Sequence, residues 1–425
     1  MASYIIHGGL PLNGEISVRG FKNAATPILA ATLLIKGKSV LRNVPRIIDV
    51  EHMVSLLQIL GCDIGWSATH EITVDASHAR IASLDDQLVK SMRSSILLVG
   101  PMLARFQEAL ISEPGGCNLG NRPLTTHLKV LQDLGAIVKV SRSGNLHIQA
   151  HTLQPNTIIL PEFSVTATEN AILASVLLDG NTTIRIAACE PHVQDLIGFL
   201  NSAGARIEIL PGHQIHIKGV KKLHPVSYPI IPDPIESGTF AIVAAVAGKE
   251  VTIRGLRPDH LDLPLLKLGQ AGVRYTMKKR KNQEFDLTIY GKKKYSAFDV
   301  QALPYPGFPS DLQAPFTILA TQANGDSMFH DPLYEDRLKH IPDLLEMGAK
   351  VRMCDPHRMI VSGPTPLFAQ KIKSFNIRAG ATMLIAGLIA DGATVIQDIE
   401  QIERGYEQLP TRLNQIGAKI ERVES

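Results

Sequence analysis

Apolar residues in this chain fall into two recurring patterns. The segments ILAATLLIKGKSVLRNV, NAILASVLLDGNTTIRIAA, FAIVAAVAGKEVTIRGL and MLIAGLIADGATVIQDI each read as an Ala/Leu/Ile-rich helix, a turn and a strand, with turn glycines Gly37, Gly180, Gly248 and Gly392. A helix that is apolar on nearly all sides needs cover on all of them, so these helices are expected in the interior. About 24 residues further on comes a leucine, three residues, a glycine, a small residue, any residue and a β-former. Leu57, Leu131, Leu200, Leu268, Leu344 and Leu413 precede Gly61, Gly135, Gly204, Gly272, Gly348 and Gly417. Ile64, Val138, Ile207, Tyr275, Val351 and Ile420 follow. A helix ending on its last core leucine, a glycine in the left-handed cap position and a new strand explain the pattern. Another strand usually comes next, as in HQIHIKG and FDLTIYG.

The cap glycines recur at intervals of 68 to 76 residues, so six similar units fill the 425 residues. Each unit reads βαβαββ once its entering strand is counted, which predicts an α/β protein with sheets outside and helices inside. Three units can close around a threefold axis. Two such triplets give two three-repeat domains, placed at residues 22–231 and at residues 1–21 with 232–425.

If the repeats share one architecture, function belongs at equivalent loops. The loop before the buried helix carries Lys22-Asn23, Arg93, Ser164 to Thr168, Asp233 with Glu236, Asp311 and Arg378. The loop after the next strand carries Arg46, Cys117 with Arg122, Glu190, His260, Arg337 and Arg404. Helix N-termini beside lysine and arginine suit phosphate or carboxylate groups. Any one arginine alone reads as a surface charge; the clustering is what points to a site. The second unit differs in having a long stretch, EALISEPGGCNLGNRPLTTH from Glu108 to His127, rich in glycine around Cys117. A cysteine in a polar loop near Arg122 is expected to be reactive, since a cation favours the thiolate. Cys62 and Cys189 read as small core fillers, and Cys354 as part of a strand-end loop.

Composition narrows the classes. Lys+Arg is 43 against 40 Asp+Glu, and aromatic residues are 5%. Neither a phosphate-backbone footprint nor a base-stacking platform follows, so no nucleic acid partner is expected. The basic runs Lys278–Lys281 and Lys292–Lys294 flank EFDLTIY and read as a solvated hairpin. Four widely spaced cysteines with no C-x-x-C pair suggest reduced thiols in a cytoplasmic protein. The N-terminal sequence shows no secretory pattern. The longest strongly apolar stretch, Thr382–Ala390, is too short to span a bilayer, so no membrane insertion is expected.

Seven motifs together resemble the UDP-N-acetylglucosamine 1-carboxyvinyltransferase family, the enolpyruvyl transferases of peptidoglycan synthesis: GFKNAATPILAATLL, MRSSILLVGPMLARF, PGGCNLGNRPLTTH, FSVTATENAILA, GFPSDLQAPFTILA, LYEDRLKHIP and IERGYE. The PGGC loop is specific, because the sister enzyme of the shikimate pathway lacks it. The resemblance implies a pair of inside-out α/β barrels with ligands in the cleft between them. It also implies transfer of the enolpyruvyl group of phosphoenolpyruvate to the 3-hydroxyl of UDP-N-acetylglucosamine, with loss of phosphate and no metal or organic cofactor. Lys22 and Asn23 match its phosphoenolpyruvate pair. Cys117 matches the proton donor alkylated by fosfomycin, and Arg122 and Arg404 match the phosphate and carboxylate clamp. Arg93, the segment Arg122, Pro123, Leu124, Thr125 and Thr126, and the segment Glu162, Phe163, Ser164 and Val165 match nucleotide-sugar contacts. Asp311 matches the aspartate at the sugar hydroxyl, Leu333 a hydrophobic nucleotide contact, and Arg337 a further cleft arginine. Because Asp311 precedes a helix, it is expected to have a lowered pKa and to orient the hydroxyl more than to deprotonate it.

Five positions depart from the family pattern. Ile48 and Glu162 stand where lysines are usual, Thr166 where glycine is, Pro234 where arginine is and Asn376 where aspartate is. They leave open a paralogous transferase acting on another nucleotide or nucleotide sugar. A non-catalytic nucleotide-sugar sensor is a third reading, which the intact Cys117 loop disfavours.

Overall fold

The computed structural model describes residues 2–115, 123–141, 144–291 and 294–424. Cys117 and Arg122, with the rest of the 116–122 stretch, lie outside the described residues, as do Lys292 and Lys293. The chain divides into two compact units, residues 20–115 with 123–231 and residues 2–19 with 232–424.

In the unit of residues 20–231, the helix Lys22–Thr32 packs on the 3-10 helix Arg93–Leu98. That element continues into Val99–Phe106, which packs on the helix Val165–Ser175. In the other unit the helices Pro234–Ala247, Ser310–Thr321 and Ile377–Ile389 pack on one another pairwise. From Ala24 to Thr32 and from Leu312 to Thr321 every residue is buried, as their all-round apolar composition requires. Strands with alternating burial cover these helices, so the expected order of helices within and sheets without holds in each unit.

Most sheets repeat one topology, in which an entering strand runs parallel to the first strand of a repeat and the remaining strands run antiparallel. Asn181–Arg185, for example, pairs parallel with Thr157–Ile159 and antiparallel with Gln214–Lys218, which pairs with Arg206–Leu210. In the sheet of the last repeat the strand Ala2–His7 lies between Ala393–Gln397 and Lys419–Glu424, antiparallel to both.

All six cap glycines have positive φ, from 76° at Gly272 to 104° at Gly417. In each case the N–H of the following residue reaches back to the carbonyl of the leucine: Cys62 to Leu57, Ala136 to Leu131, Ala205 to Leu200, Val273 to Leu268, Ala349 to Leu344 and Ala418 to Leu413. This is the Schellman closure, and it explains both the spacing and the small residue after glycine. Gly248 departs from the expected turn. Its backbone is extended (φ −82°, ψ 151°), and the helix Pro234–Ala247 runs straight into the strand Gly248–Leu256. Glycine is needed there for space, since a Cβ would lie 2.4 Å from the Ala244 carbonyl oxygen.

Past the strands Lys38–Arg42, Asn181–Arg185 and Ala393–Gln397, one left-handed residue turns the chain toward the second loop: Asn43, Ile186 and Asp398, with φ of 56°, 58° and 55°. Ile186 is strained there, because a β-branched side chain disfavours that region.

The stretch from Glu108 to His127 is less irregular than expected. Glu108–Ile111 is a strand paired with Leu146–Gln149, and Thr125 opens the helix Thr125–Asp133. A Cβ on Gly115 would meet the Lys90 carbonyl oxygen at 2.3 Å, so the backbone approach there requires glycine. Cys354 is neither core nor loop: it is exposed in the strand Lys350–Asp355. Cys62 is buried, and burial pushes its thiol up to about 12. Cys189 is half-buried, and its thiol is raised by burial and by Glu190. In the basic hairpin, Arg280 pairs with Asp286 at 3.0 Å on an exposed surface.

Candidate active site

Lys22, Asp311 and Arg378 occupy the first turns of buried helices rather than the loops before them, because each helix starts earlier than its apolar run. Lys22 Nζ lies 2.6 Å from Asp49 Oδ2, with side-chain exposures of 13% and 2%. A lysine at a helix start opposes the dipole, whereas Asp49, in the first turn of Ile48–Ile59, is aligned with its own helix. The pair therefore offsets an unfavourable placement of the cation. Asn23 is half-buried beside Lys22, and Ile48 opens the helix that supplies Asp49.

In the same unit Arg93 opens its 3-10 helix, and Nη1 donates to the Pro114 carbonyl oxygen at 3.4 Å. Pro123 and Thr125 are exposed and Leu124 is buried. Thr126 is buried, and its Oγ1 donates to Glu162 Oε1 at 2.7 Å. The two segments matched to nucleotide-sugar contacts are thus tied together through a residue that departs from the family pattern. Glu162 and Phe163 are exposed, while Ser164 and Val165 are half-buried at the start of Val165–Ser175.

In the other unit Asp311 is a hub. Its Oδ1 accepts from Arg337 Nη2 at 2.9 Å, and its Oδ2 accepts from Arg378 Nε and Nη2, both at 3.0 Å. Burial alone would raise this carboxyl, but Arg378 and then Arg337 outweigh it and hold Asp311 well below the usual carboxylate range. The lowered pKa was expected from the helix start; the two guanidinium groups are its main cause. A carboxylate held this way is a weak proton acceptor and a good fixed dipole.

Arg378 Nη1 also donates to the Tyr406 hydroxyl at 3.0 Å, and that hydroxyl meets Thr239 Oγ1 at 3.0 Å. Arg337 Nε lies 3.9 Å from Asp331 Oδ2, which accepts from Ser310 Oγ at 2.5 Å. Asp331 Oδ1 accepts from the backbone N–H of Leu333, whose side chain is exposed. Arg404 follows the short helix Glu400–Glu403, and its Nη1 donates to Gln401 Oε1 at 3.2 Å.

Two departures from the family pattern act as helix starts. Asn376 Oδ1 accepts from the N–H groups of Arg378 and Ala379 at 3.0 and 2.9 Å, which an aspartate would also do. Pro234 is the first residue of its helix, where its fixed φ is suitable. Asp233 caps that helix through the N–H groups of Ile235 and Glu236, and burial pushes its carboxyl up to about 7 despite Arg378. His260, named with the second loops, lies in a 3-10 turn, and burial pushes it down to about 4. Arg46 lies over Trp66 at 4.0 Å and pairs with Glu51, which marks a surface contact.

Asp49, Asp331 and Tyr406 were not singled out in the sequence. Asp49 sits between Ile48 and Val50 with nothing to distinguish it from any first-turn acid. Tyr406 lies inside the IERGYE motif, so it was within reach. Among the described residues no group of three or more His, Cys, Asp or Glu side chains is placed to hold a metal ion, and no helix is long and apolar enough to cross a membrane.

The family profile of EPSP synthase (3-phosphoshikimate 1-carboxyvinyltransferase) matches residues 6–413. The chain is 39% identical over 419 residues to a UDP-N-acetylglucosamine 1-carboxyvinyltransferase of Dichelobacter nodosus, covering 99% of this chain and 98% of that protein. It is 38% identical over 425 residues to one of Thermodesulfovibrio yellowstonii, covering all of both. Among solved structures, the enolpyruvyl transferase NikO from Streptomyces tendae matches with a TM-score of 0.90 and 25% identity, over 100% of this chain and 99% of that one. An EPSP synthase from Acinetobacter baumannii shares the fold, with a TM-score of 0.80 and 19% identity over all of both chains.

Proposed function

The chain belongs to the EPSP synthase family of carboxyvinyltransferases, and from that premise we propose that it transfers the enolpyruvyl group of phosphoenolpyruvate to the 3-hydroxyl of UDP-N-acetylglucosamine, in peptidoglycan synthesis. The reading rests on full-length similarity to proteins that carry this activity in their name. The reaction is addition followed by elimination. The sugar hydroxyl gives up its proton as its oxygen bonds to C2 of the enol, a proton goes to the methylene carbon, and the tetrahedral adduct then loses phosphate and a methyl proton.

The roles follow the chemistry of the side chains. Phosphoenolpyruvate is highly anionic, and Lys22, Arg122 and Arg404 are assigned to its phosphate and carboxylate, with Asn23 beside them. Cys117 is assigned as the carbon-protonating acid, a role worth roughly 10²–10⁴-fold in rate. Asp311, ionised and fixed by Arg337 and Arg378, orients the sugar hydroxyl. Arg93, Pro123 to Thr126, Glu162 to Val165 and Leu333 are assigned to the nucleotide sugar. Phosphoenolpyruvate is an intracellular metabolite and the thiols read as reduced, so the chain is assigned to the cytoplasm.

Glu162 favours one alternative. Its exposed carboxylate adds negative charge to the acceptor segment, which suits a less anionic acceptor than a nucleoside diphosphate sugar. A panel of nucleotides and nucleotide sugars, each incubated with phosphoenolpyruvate and assayed for phosphate release, separates the readings. The fastest turnover is expected with UDP-N-acetylglucosamine, and a clear preference for another acceptor would replace it. Fosfomycin is expected to add its mass to Cys117 and to leave the buried Cys62 untouched; peptide mass analysis with an adduct elsewhere would withdraw the Cys117 assignment.

A further inference from the structure

His127 and Asn170 lie outside every assignment made above, yet they join three segments assigned to the acceptor. Both are buried, His127 with 3% of its surface exposed and Asn170 with 1%. Asn170 Oδ1 accepts from the Gly100 N–H at 2.8 Å, and its Nδ2 donates to the Ile96 carbonyl oxygen at 3.0 Å. These two bonds fix which end of the amide is nitrogen. Nδ2 also lies 3.3 Å from His127 Nδ1. An amide nitrogen only donates, so Nδ1 of His127 must accept and carries no proton. The neutral ring then holds its proton on Nε2, which lies 3.1 Å from Thr166 Oγ1. Nε2–H donates and the threonine oxygen accepts.

This chain of donors has a defined end. Thr166 Oγ1 makes no other hydrogen bond among the described residues, so its own O–H remains available as a donor. Thr166 is half-buried in the first turn of Val165–Ser175, where backbone N–H groups are also without helical partners. The neighbouring residue Thr126 is held by Glu162, so the segments at 123–127 and 162–166 are braced twice. Through Ile96 the same relay reaches the 3-10 helix that Arg93 opens.

We propose that His127 and Asn170 are positioning residues for the acceptor: their fixed relay aims the Thr166 hydroxyl as a donor at an oxygen of the nucleotide sugar. The inference rests on the transferase reading above and deepens it, because it assigns part of the acceptor specificity to a hydroxyl at position 166. Three hydrogen bonds hold the buried Asn170 amide, so removing one of its partners costs the amide a bond. Preorganising a ligand-binding group by a second layer of hydrogen bonds is a general way to gain specificity.

The test is a kinetic split in the full-length protein. Removing one oriented hydrogen bond, in Thr166→Val, is expected to raise KM for UDP-N-acetylglucosamine about tenfold while kcat and KM for phosphoenolpyruvate stay near wild type. Thr166→Ser, which keeps the hydroxyl, is expected to restore the acceptor KM. His127→Leu, which removes the same bond together with the contact to Asn170, should raise the acceptor KM at least as much as Thr166→Val, and the double variant should be no worse than the poorer single one. An unchanged acceptor KM in Thr166→Val, an equal change for both substrates, or multiplying effects in the double variant would overturn the relay. If His127→Leu does not fold, the Val and Ser pair at 166 decides alone. If the wild type releases no phosphate, the transferase reading fails. Calorimetric titration with UDP-N-acetylglucosamine then judges the relay: weaker binding in Thr166→Val restored in Thr166→Ser upholds it, and equal or absent binding in all three rejects it.

Discussion

Lys22 and Asp311 occupy corresponding places, each in the first turn of a buried helix, yet they pose opposite electrostatic problems. Lys22 puts a cation where the helix already presents partial positive charge, and a single carboxylate, Asp49, offsets it. Asp311 puts an anion where the helix favours one, and it nevertheless holds two guanidinium groups. In the first pair the carboxylate meets a flexible ammonium with 13% of its side chain exposed. In the second it is the shared partner of Arg337 and Arg378, whose side chains are only 4% and 8% exposed. A buried ion cluster is tolerated rather than strongly stabilising, but removing its hub strands the remaining charges. The two sites should therefore respond very differently to loss of the acid.

The sharpest break is Asp311→Ala, which leaves two nearly buried arginines without their common partner. A loss of roughly 3–5 kcal/mol in urea unfolding is expected, with phosphate release abolished. Because the folded pKa of Asp311 is lowered, its stabilisation is present above the ordinary unfolded carboxylate value and is lost as pH falls below it. The stability gap between wild type and Asp311→Asn should therefore be steady from pH 8 to about 5 and shrink in more acidic solution. A variant Asp311→Ala as stable as Asp49→Ala would erase the contrast between the sites.

Asp233 has the opposite sign. Its folded pKa is raised to about 7, so its favourable contribution is full below the unfolded value and is lost as pH rises toward 7. Asp233→Asn keeps the capping oxygen and removes the titration. It should match wild type near pH 3 and be more stable at pH 8, by on the order of 2–4 kcal/mol. Thermal unfolding at the two pH values checks this, and a constant difference would mean that Asp233 does not titrate as described.

Asp49→Ala should cost less, about 1–3 kcal/mol, because the Lys22 ammonium can turn toward water. Its clearer signature is a raised KM for phosphoenolpyruvate with little change for the acceptor. The smallest expected effect concerns a residue in neither cluster. Gly204→Ala puts a Cβ at φ 101° in a Schellman closure, at a cost of about 1 kcal/mol in chemical denaturation.

The sequence made the repeats legible because their marks are local. A leucine, a left-handed glycine and a small residue report one backbone turn, and only glycine adopts it freely. The all-apolar helices were equally plain, since no surface helix has that composition. What stayed hidden depends on pairing between distant segments. Nothing near Asp49 announces Lys22 as its partner, and Asp331 gains its place only when Ser310 and Arg337 meet it. The strand Ala2–His7 likewise looks like any amphipathic segment until it lies between strands from the far end of the chain. Of the candidate site, the direction of the Asp311 shift was anticipated from its place at a helix start. The two arginines that cause it required coordinates. Glu162 and Thr166, which read as departures, join the segments 123–127 and 162–166.

The bond formed between the enolpyruvyl carbon and the sugar oxygen is the most direct mark of the proposed activity. The protein incubated with phosphoenolpyruvate and UDP-N-acetylglucosamine, followed by mass spectrometry and phosphorus NMR, should yield the 3-O-enolpyruvyl ether of the nucleotide sugar and inorganic phosphate in equal amounts. Folded protein that leaves both substrates unchanged, or releases phosphate without forming that ether, would contradict it.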